Sequence, residues 1–220
     1  ARQNMVAQLF VNGSLNCRMA PWGGREPRHG TNPIAMGFPS RTGEPVVIDM
    51  TTSAVAEGKV RVACNRGDSV PDGWLIDADG NPTNDPNSLY AEPPGTILPL
   101  GGSLAYKGYG LNIAVELLAG ALGGAGCLGK DRQFRNGALM VLLDVDQLVG
   151  LDAYYEEADD YIAFVRSAAT APGFDSILMP GEIELKVKKQ RMAEGVFVED
   201  ETWRQILASA EQVGAEITEN

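Results

Sequence analysis

A glycine-rich segment, Gly101-Gly-Ser-Leu-Ala-Tyr-Lys-Gly-Tyr-Gly-Leu111, leads directly into an apolar run with helical spacing in this 220-residue chain. Glycine lets the main chain approach a ligand without interference from a Cβ atom, and the first turn of a following helix offers unpaired N–H groups to an anion. Lys107 adds a positive charge at this point. The segment therefore predicts an anion-binding loop that feeds a buried helix, although an ordinary glycine-rich connection remains the alternative for this stretch alone.

The flanking sequence alternates predicted strands and helices. Short apolar runs at residues 34–38 and 46–50, separated by a Pro- and Gly-containing turn, predict two strands of a central sheet. The apolar run at residues 137–144 predicts a strand that is buried on both faces. Helices are predicted over residues 54–66, 111–122, 152–169, 181–193 and from residue 200 onward. Gly67 is the predicted stop of the first helix, and the last has a buried stripe that includes Trp203 and Ile206.

Composition limits the class of protein. Hydrophobic residues make up 44% and charged residues 21%, and we expect one globular domain over residues 1–220. The 18 basic and 29 acidic residues give a net charge of −11, which disfavours binding to nucleic acid or to an anionic membrane. Three widely spaced cysteines without a Cys-x-x-Cys pair predict neither a disulfide framework nor a zinc site, and no metal site is expected. The cytoplasm is the default compartment.

Two glycine- and aspartate-rich stretches imitate ligand sites. Gly124-Ala-Gly-Cys-Leu-Gly129 fits the dinucleotide fingerprint, but it follows a predicted helix and precedes a strand, so we interpret it as a helix C-terminus. Asp77-Ala-Asp-Gly-Asn81 resembles a calcium loop, but Pro82 and Ser88 occupy positions that require glycine and glutamate. We reject both sites.

Five further motifs accompany the lysine-containing segment in a fixed order. They read Gly30-Thr-Asn-Pro-Ile-Ala35, Pro45-Val-Val-Ile-Asp-Met-Thr-Thr-Ser53, Pro71-Asp-Gly-Trp74, Pro82-Thr-Asn-Asp-Pro86 and Pro180-Gly-Glu182. Together the six motifs resemble the malate/L-lactate dehydrogenase family, which includes ureidoglycolate dehydrogenases, diketogulonate reductases and piperideine-carboxylate reductases. The resemblance implies a layered α/β/α fold with a mixed sheet, unlike the Rossmann domain. It also implies a homodimeric oxidoreductase that uses NAD or NADP on small 2-hydroxy or 2-oxo acids.

The resemblance further implies which residues form the site. It assigns Thr31 and Asn32 to the substrate pocket. It assigns the nicotinamide cofactor to three segments, whose members are Pro45, Val46, Val47, Ile48, Asp49, Met50 and Thr51, then Tyr106 and Lys107, then Gly181, Glu182 and Ile183. The position of Tyr106 is often histidine in the family. Asp49 and Glu182 have structural alternatives, as a turn cap and as a favourable residue at a helix N-terminus.

The proton-transfer group is the unassigned part of the site. The family uses the histidine of a Ser-His-Gly motif, whereas His29, the only histidine here, directly precedes the Gly30 motif. We interpret His29 as a loop substitution and not as the catalytic histidine. We therefore expect the catalytic histidine in an N-terminal segment that precedes Ala1 in the family. One alternative hypothesis is a non-catalytic dinucleotide-binding fragment, and another is an incomplete module that needs a further segment or subunit. The sequence does not distinguish NAD from NADP, or one 2-hydroxy acid from another.

Overall fold

The computed structural model describes residues 1–13, 17–129 and 136–217. A four-stranded antiparallel sheet has the strand order β3-β2-β1-β7. Its strands are β1 (Met5–Gly13), β2 (Ile34–Phe38), β3 (Val46–Met50) and β7 (Asn136–Asp144). The observed bounds of β2 and β3 are those predicted, because the turn between them and the apolar runs are both local signals.

The proline-rich middle of the chain forms a second, smaller antiparallel sheet. Its strands β4 (Leu75–Ile76), β5 (Pro82–Thr83) and β6 (Thr96–Ile97) are ordered β5-β4-β6, and a 3₁₀ helix (Pro86–Tyr90) lies between β5 and β6. Isolated bridges join Met19 to His29 and to Ile97, and these bridges connect this sheet to the chain that follows β1.

Six α-helices surround the sheets in the described part of the chain. They are α1 (Glu57–Arg66), α2 (Tyr106–Val115), α3 (Val145–Val149), α4 (Leu151–Arg166), α5 (Glu182–Glu194) and α6 (Asp200–Val213). Helix α2 continues into a π-helix (Glu116–Leu122), so the predicted helix over residues 111–122 begins earlier and changes its winding. Gly67 ends α1 in the left-handed conformation, as the glycine stop predicts.

Two apolar clusters form the described core. One joins α1 to the second sheet through residues that include Val60, Leu75 and Ile97. The other packs α2 and the π-helix on the first sheet, through Ile34 with Val115 and neighbouring residues. Burial of this apolar surface is the main favourable contribution to the stability of such a two-layer contact.

Burial differs from the prediction at three elements. Strand β7 lies at an edge of the sheet and its Met140 is 60% exposed, so the expectation of burial on both faces is wrong. In α6 the stripe predicted to be buried is also exposed, with Trp203 at 37%. Likewise Leu117 and Leu122 of the π-helix are exposed. Apolar runs indicate which residues favour burial, but the partner that covers them is set by tertiary structure.

Within the three described ranges, no helix combines the length and the apolar character that a bilayer span requires.

Candidate functional site

A pocket of about 830 Å³ lies beside strand β3. Its lining comes from residues 45–49 and from residues 178–185, with α4 contributing Ile162 and Arg166. Residues 45–49 and 181–183, which the resemblance assigned to the cofactor, therefore line the same pocket although they are distant in the sequence. Its volume lies in the range of small-molecule sites.

The pocket exists because the chain turns sharply onto the edge of the sheet. Strand β3 is an edge strand, and the Val47 N–H donates to the Pro180 carbonyl across 3.1 Å. Gly181 then adopts φ +95°, and a Cβ atom at this position would lie 3.2 Å from the Val47 Cβ. The positive φ and the close approach both favour glycine, and the turn starts α5 directly over the strand.

The charges around the pocket are mostly paired. Arg2 contacts Glu44 at 3.1 Å, and Arg166 contacts Glu182 at 2.6 Å. The second carboxylate oxygen of Glu182 accepts from the Met179 N–H at 2.8 Å. Glu182 is the first residue of α5, so it also takes the structural role of an acidic residue at a helix N-terminus. Among the described residues, no hydrogen bond or ion pair engages the lining residue Lys188.

A buried polar network lies on the other side of the strand end. The Asn112 amide donates to the Gly30 carbonyl and to the Thr52 hydroxyl, both at 2.9 Å. The Thr52 hydroxyl donates in turn to the Asn32 carbonyl at 3.0 Å. The Asn32 amide donates to Glu116 at 2.7 Å. The motif that begins at Gly30, the end of β3 and helix α2 are thus joined by side-chain hydrogen bonds in a site closed to solvent.

The same strand end supports the lysine-containing segment. The Leu100 N–H donates to the Thr52 carbonyl at 3.0 Å, and a Cβ atom on Gly108 would lie 2.1 Å from the Leu100 carbonyl oxygen. Only glycine fits so close an approach, which brings the first turn of α2 against the segment before Gly101. Tyr106 and Lys107 are exposed there, and the Tyr106 ring meets the Trp22 ring edge-on at 6.4 Å.

His29 is half-buried beside this surface. Its ring packs edge-on against Tyr109 at 5.6 Å between centroids, and its Nδ1 has no hydrogen-bond partner among the described residues. Burial lowers the pKa of His29, an effect that the nearby Glu116 carboxylate partly opposes. The imidazole is therefore neutral at pH 7. His29 does not line the pocket beside β3.

The residues predicted to form the site thus fall into three places. The pocket takes residues 45–49 and 181–183, whereas Tyr106 and Lys107 lie on the exposed α2 surface. Met50 is the last residue of β3 and Thr51 follows it, and neither lines the pocket. Thr31 accepts from Thr52 through its carbonyl at 3.0 Å, and Asn32, which is 1% exposed, lies within the buried network rather than in an open pocket.

Three residues of these sites were not predicted. Arg166 and Lys188 lie on helices that the sequence marks only as charged, so nothing local distinguishes them from solvated residues. Glu116 had a detectable signal. Asn112 and Glu116 are four residues apart and share the face of Val115 and Ala119. Two polar groups on a predicted apolar stripe indicate buried groups that need hydrogen-bond partners.

Comparison with known families identifies the class of protein. The family model described as malate/L-lactate dehydrogenase matches residues 1–207. The chain belongs to this family, as the six motifs predict, and its mixed α/β architecture is that of the family's solved structures.

Several relatives are similar over most of the chain. The L-sulfolactate dehydrogenase of Methanothermobacter thermautotrophicus is 37% identical over 96% of this chain, and the L-lactate dehydrogenase of Cupriavidus necator is 35% identical over 90%. The chain spans 59% and 57% of their respective lengths. A (2R)-3-sulfolactate dehydrogenase (NADP(+)) of Chromohalobacter salexigens is 44% identical over 57% of this chain and 35% of its own. The structure of malate dehydrogenase from Pyrococcus horikoshii OT3 matches with a TM-score of 0.80 and 27% identity, over 99% of this chain and 60% of that one.

Proposed function

We propose that this chain is a single α/β unit that binds NAD or NADP in an oxidoreductase acting on a small 2-hydroxy or 2-oxo acid. One observation carries the proposal. Two segments with family motifs, residues 45–49 and 181–183, contact each other at Val47 and Gly181 and line one pocket of about 830 Å³. Membership of the malate/L-lactate dehydrogenase family and the names of the relatives support the reaction class.

The cofactor is proposed to extend along β3. One end would enter the pocket, where Lys188 offers an unpaired positive charge to a phosphate group. The other end would reach the α2 surface near Thr51, Tyr106 and Lys107. Val46 and Thr51 are five positions apart, which corresponds to roughly 17 Å of extended chain. This length suits an elongated ligand with two nucleosides. When bound, the nicotinamide supplies or accepts the hydride.

The chain's own residues would hold and orient this ligand. Gly181 permits a backbone turn close to β3, and Asp49 presents a carboxylate without a described partner at the pocket wall, suited to accept hydrogen bonds from hydroxyl groups. Thr31 and Asn32 would support the substrate side through the buried network. The family resemblance also leads us to propose a homodimer, which sedimentation equilibrium of the purified chain would test.

The pocket is tested by charge removal with a matched control. Lys188→Ala removes the unpaired cation from the pocket, whereas Lys186→Ala removes an exposed lysine of the same helix that does not line it. We expect fluorescence titration with NADH and NADPH to show weaker binding for Lys188→Ala, by about fivefold to tenfold, and unchanged binding for Lys186→Ala. Equal affinities of both variants and the unaltered chain would remove the pocket from the binding site.

A non-catalytic dinucleotide-binding role is the second candidate. It is favoured by the position of His29, which packs against Tyr109 and does not line the pocket. Absorbance at 340 nm with lactate, malate or sulfolactate separates the two candidates. Turnover by a chain that binds the cofactor would eliminate the non-catalytic role, and binding without turnover on any of these acids would favour it.

A further inference from the structure

Glu116 is a buried carboxylate whose described partners are all neutral. It is 6% exposed, and its oxygens accept from the Asn12 amide at 3.2 Å, the Leu128 N–H at 2.7 Å and the Asn32 amide at 2.7 Å. Burial of a carboxylate costs free energy unless hydrogen bonds compensate it. A neutral glutamine could not accept from all three donors without turning its own NH₂ toward one of them.

The hydrogen bond from the Asn32 amide to Glu116 restrains an unusual backbone conformation. Asn32 has φ +36°, one of two positive values among the non-glycine residues of the described chain. Its side-chain amide is held by Glu116 and, at 3.1 Å, by the Asn112 side-chain oxygen. A non-glycine residue keeps such an unfavourable backbone conformation only when surrounding contacts hold it. Here the contacts come from side chains of α2 and the π-helix.

The restraint passes from Asn32 to the end of β3. The Thr52 hydroxyl, with its single proton, lies within hydrogen-bond distance of the carbonyls of Thr31 and Asn32, at 3.1 and 3.0 Å. The Thr52 N–H donates to the Thr31 carbonyl at 3.0 Å. The Thr52 carbonyl accepts from the Leu100 N–H. The conformation of Asn32 therefore sets the position of Thr51–Thr52 and of the segment that leads to Lys107.

We infer that Glu116 is a positioning residue of the cofactor site. It touches neither the pocket beside β3 nor the exposed α2 surface, and acts through Asn32 on Thr52 and Leu100. The expected effect of Glu116 on dinucleotide affinity rests on the proposed function. The expected effect of Glu116 on the end of β3 in the ligand-free chain is independent of that proposal.

Two variants and one control test the inference. Glu116→Gln places an NH₂ against a neighbouring donor. In Asn32→Gly, glycine can adopt the positive φ, and only the side-chain hydrogen bonds of Asn32 are removed. This variant tests the inference if Glu116→Gln fails to fold. Val60→Ala is the matched control, because it removes buried apolar atoms from the other core cluster without touching the network.

Two readouts separate positioning from a general loss of stability. Hydrogen exchange of the ligand-free chain should accelerate by about tenfold at the Thr52 and Leu100 amides relative to those of β1 in both network variants, and not in Val60→Ala. The Kd for NADH or NADPH should rise by about tenfold in the same two variants only. Unchanged relative exchange at Thr52 and Leu100 would overturn the inference, and so would an unchanged Kd. Failure of the unaltered chain to bind either dinucleotide would instead count against the proposed function, and the exchange result would still decide the role of Glu116.

Discussion

The substitution Gly181→Ala tests whether the turn over β3 builds the pocket. An L-residue in the left-handed region costs about 1–2 kcal/mol, and Gly181 has φ +95°. The added Cβ atom would also lie 3.2 Å from the Val47 Cβ and 3.3 Å from the Val47 nitrogen, so the segment must move away from the strand. This movement weakens the hydrogen bond from Val47 to Pro180, which contributes about 0.5–1.5 kcal/mol. Together the two contributions predict a loss of stability of about 1.5–3.5 kcal/mol.

Gly67→Ala provides the matched control for the backbone contribution. Gly67 has φ +73° at the end of α1, and a Cβ atom there would meet nothing within 4 Å. Differential scanning calorimetry should therefore show a loss of folding stability for Gly181→Ala that exceeds the loss for Gly67→Ala by about 1 kcal/mol, which corresponds to about 2–4 °C in Tm for a chain of this size. Only Gly181→Ala should also weaken dinucleotide binding. Equal losses of stability in the two variants would refute the close packing of Gly181 on Val47.

Two further predictions concern pH. Because burial lowers the pKa of His29, the folded state binds fewer protons than the unfolded state below about pH 6.5, and stability should fall as the pH drops through the folded pKa. Urea denaturation at pH 7 and pH 5 should show this fall in the unaltered chain and a smaller fall in His29→Gln; equal falls in both would exclude His29 as its source. Burial and the hydrogen bond to Glu57 raise the pKa of Tyr90 to about 12, so its contribution to stability is complete below about pH 10 and is lost as the pH rises through 12. Ultraviolet titration should show a tyrosine that ionises near pH 12, and Tyr90→Phe should remove that step.

Local signals were sufficient for the elements nearest the pocket. The bounds of β2 and β3 were predicted because short apolar runs and an intervening turn specify a hairpin without reference to the rest of the chain. Gly67 was predicted as a helix stop for the same reason. By contrast, the sequence of β7 predicts a strand buried on both faces, whereas the structure places it at the edge of the sheet. This position depends on strand pairing, which the local sequence does not determine.

The candidate site could be predicted only in part. The meeting of residues 45–49 with residues 181–183 was an implication of the family resemblance, since no periodicity connects segments so far apart. The unpaired state of Lys188 depends on side-chain positions that a sequence does not contain. A buried polar contact for Asn112 and Glu116 was accessible from the sequence, because polar residues on an apolar helical face need hydrogen-bond partners. The structure shows that both contact the Asn32 side chain.

Equilibrium titration of the unaltered chain with NADH and NADPH, followed by nucleotide fluorescence, tests the central claim most directly. Lys107→Ala, with the exposed Lys59→Ala as its control, measures the contribution of the glycine-rich segment in the same experiment. We predict saturable binding of at least one dinucleotide, weakened by Lys107→Ala and unaffected by Lys59→Ala. A chain that unfolds cooperatively on heating and yet binds neither dinucleotide would contradict the claim that this domain holds the cofactor.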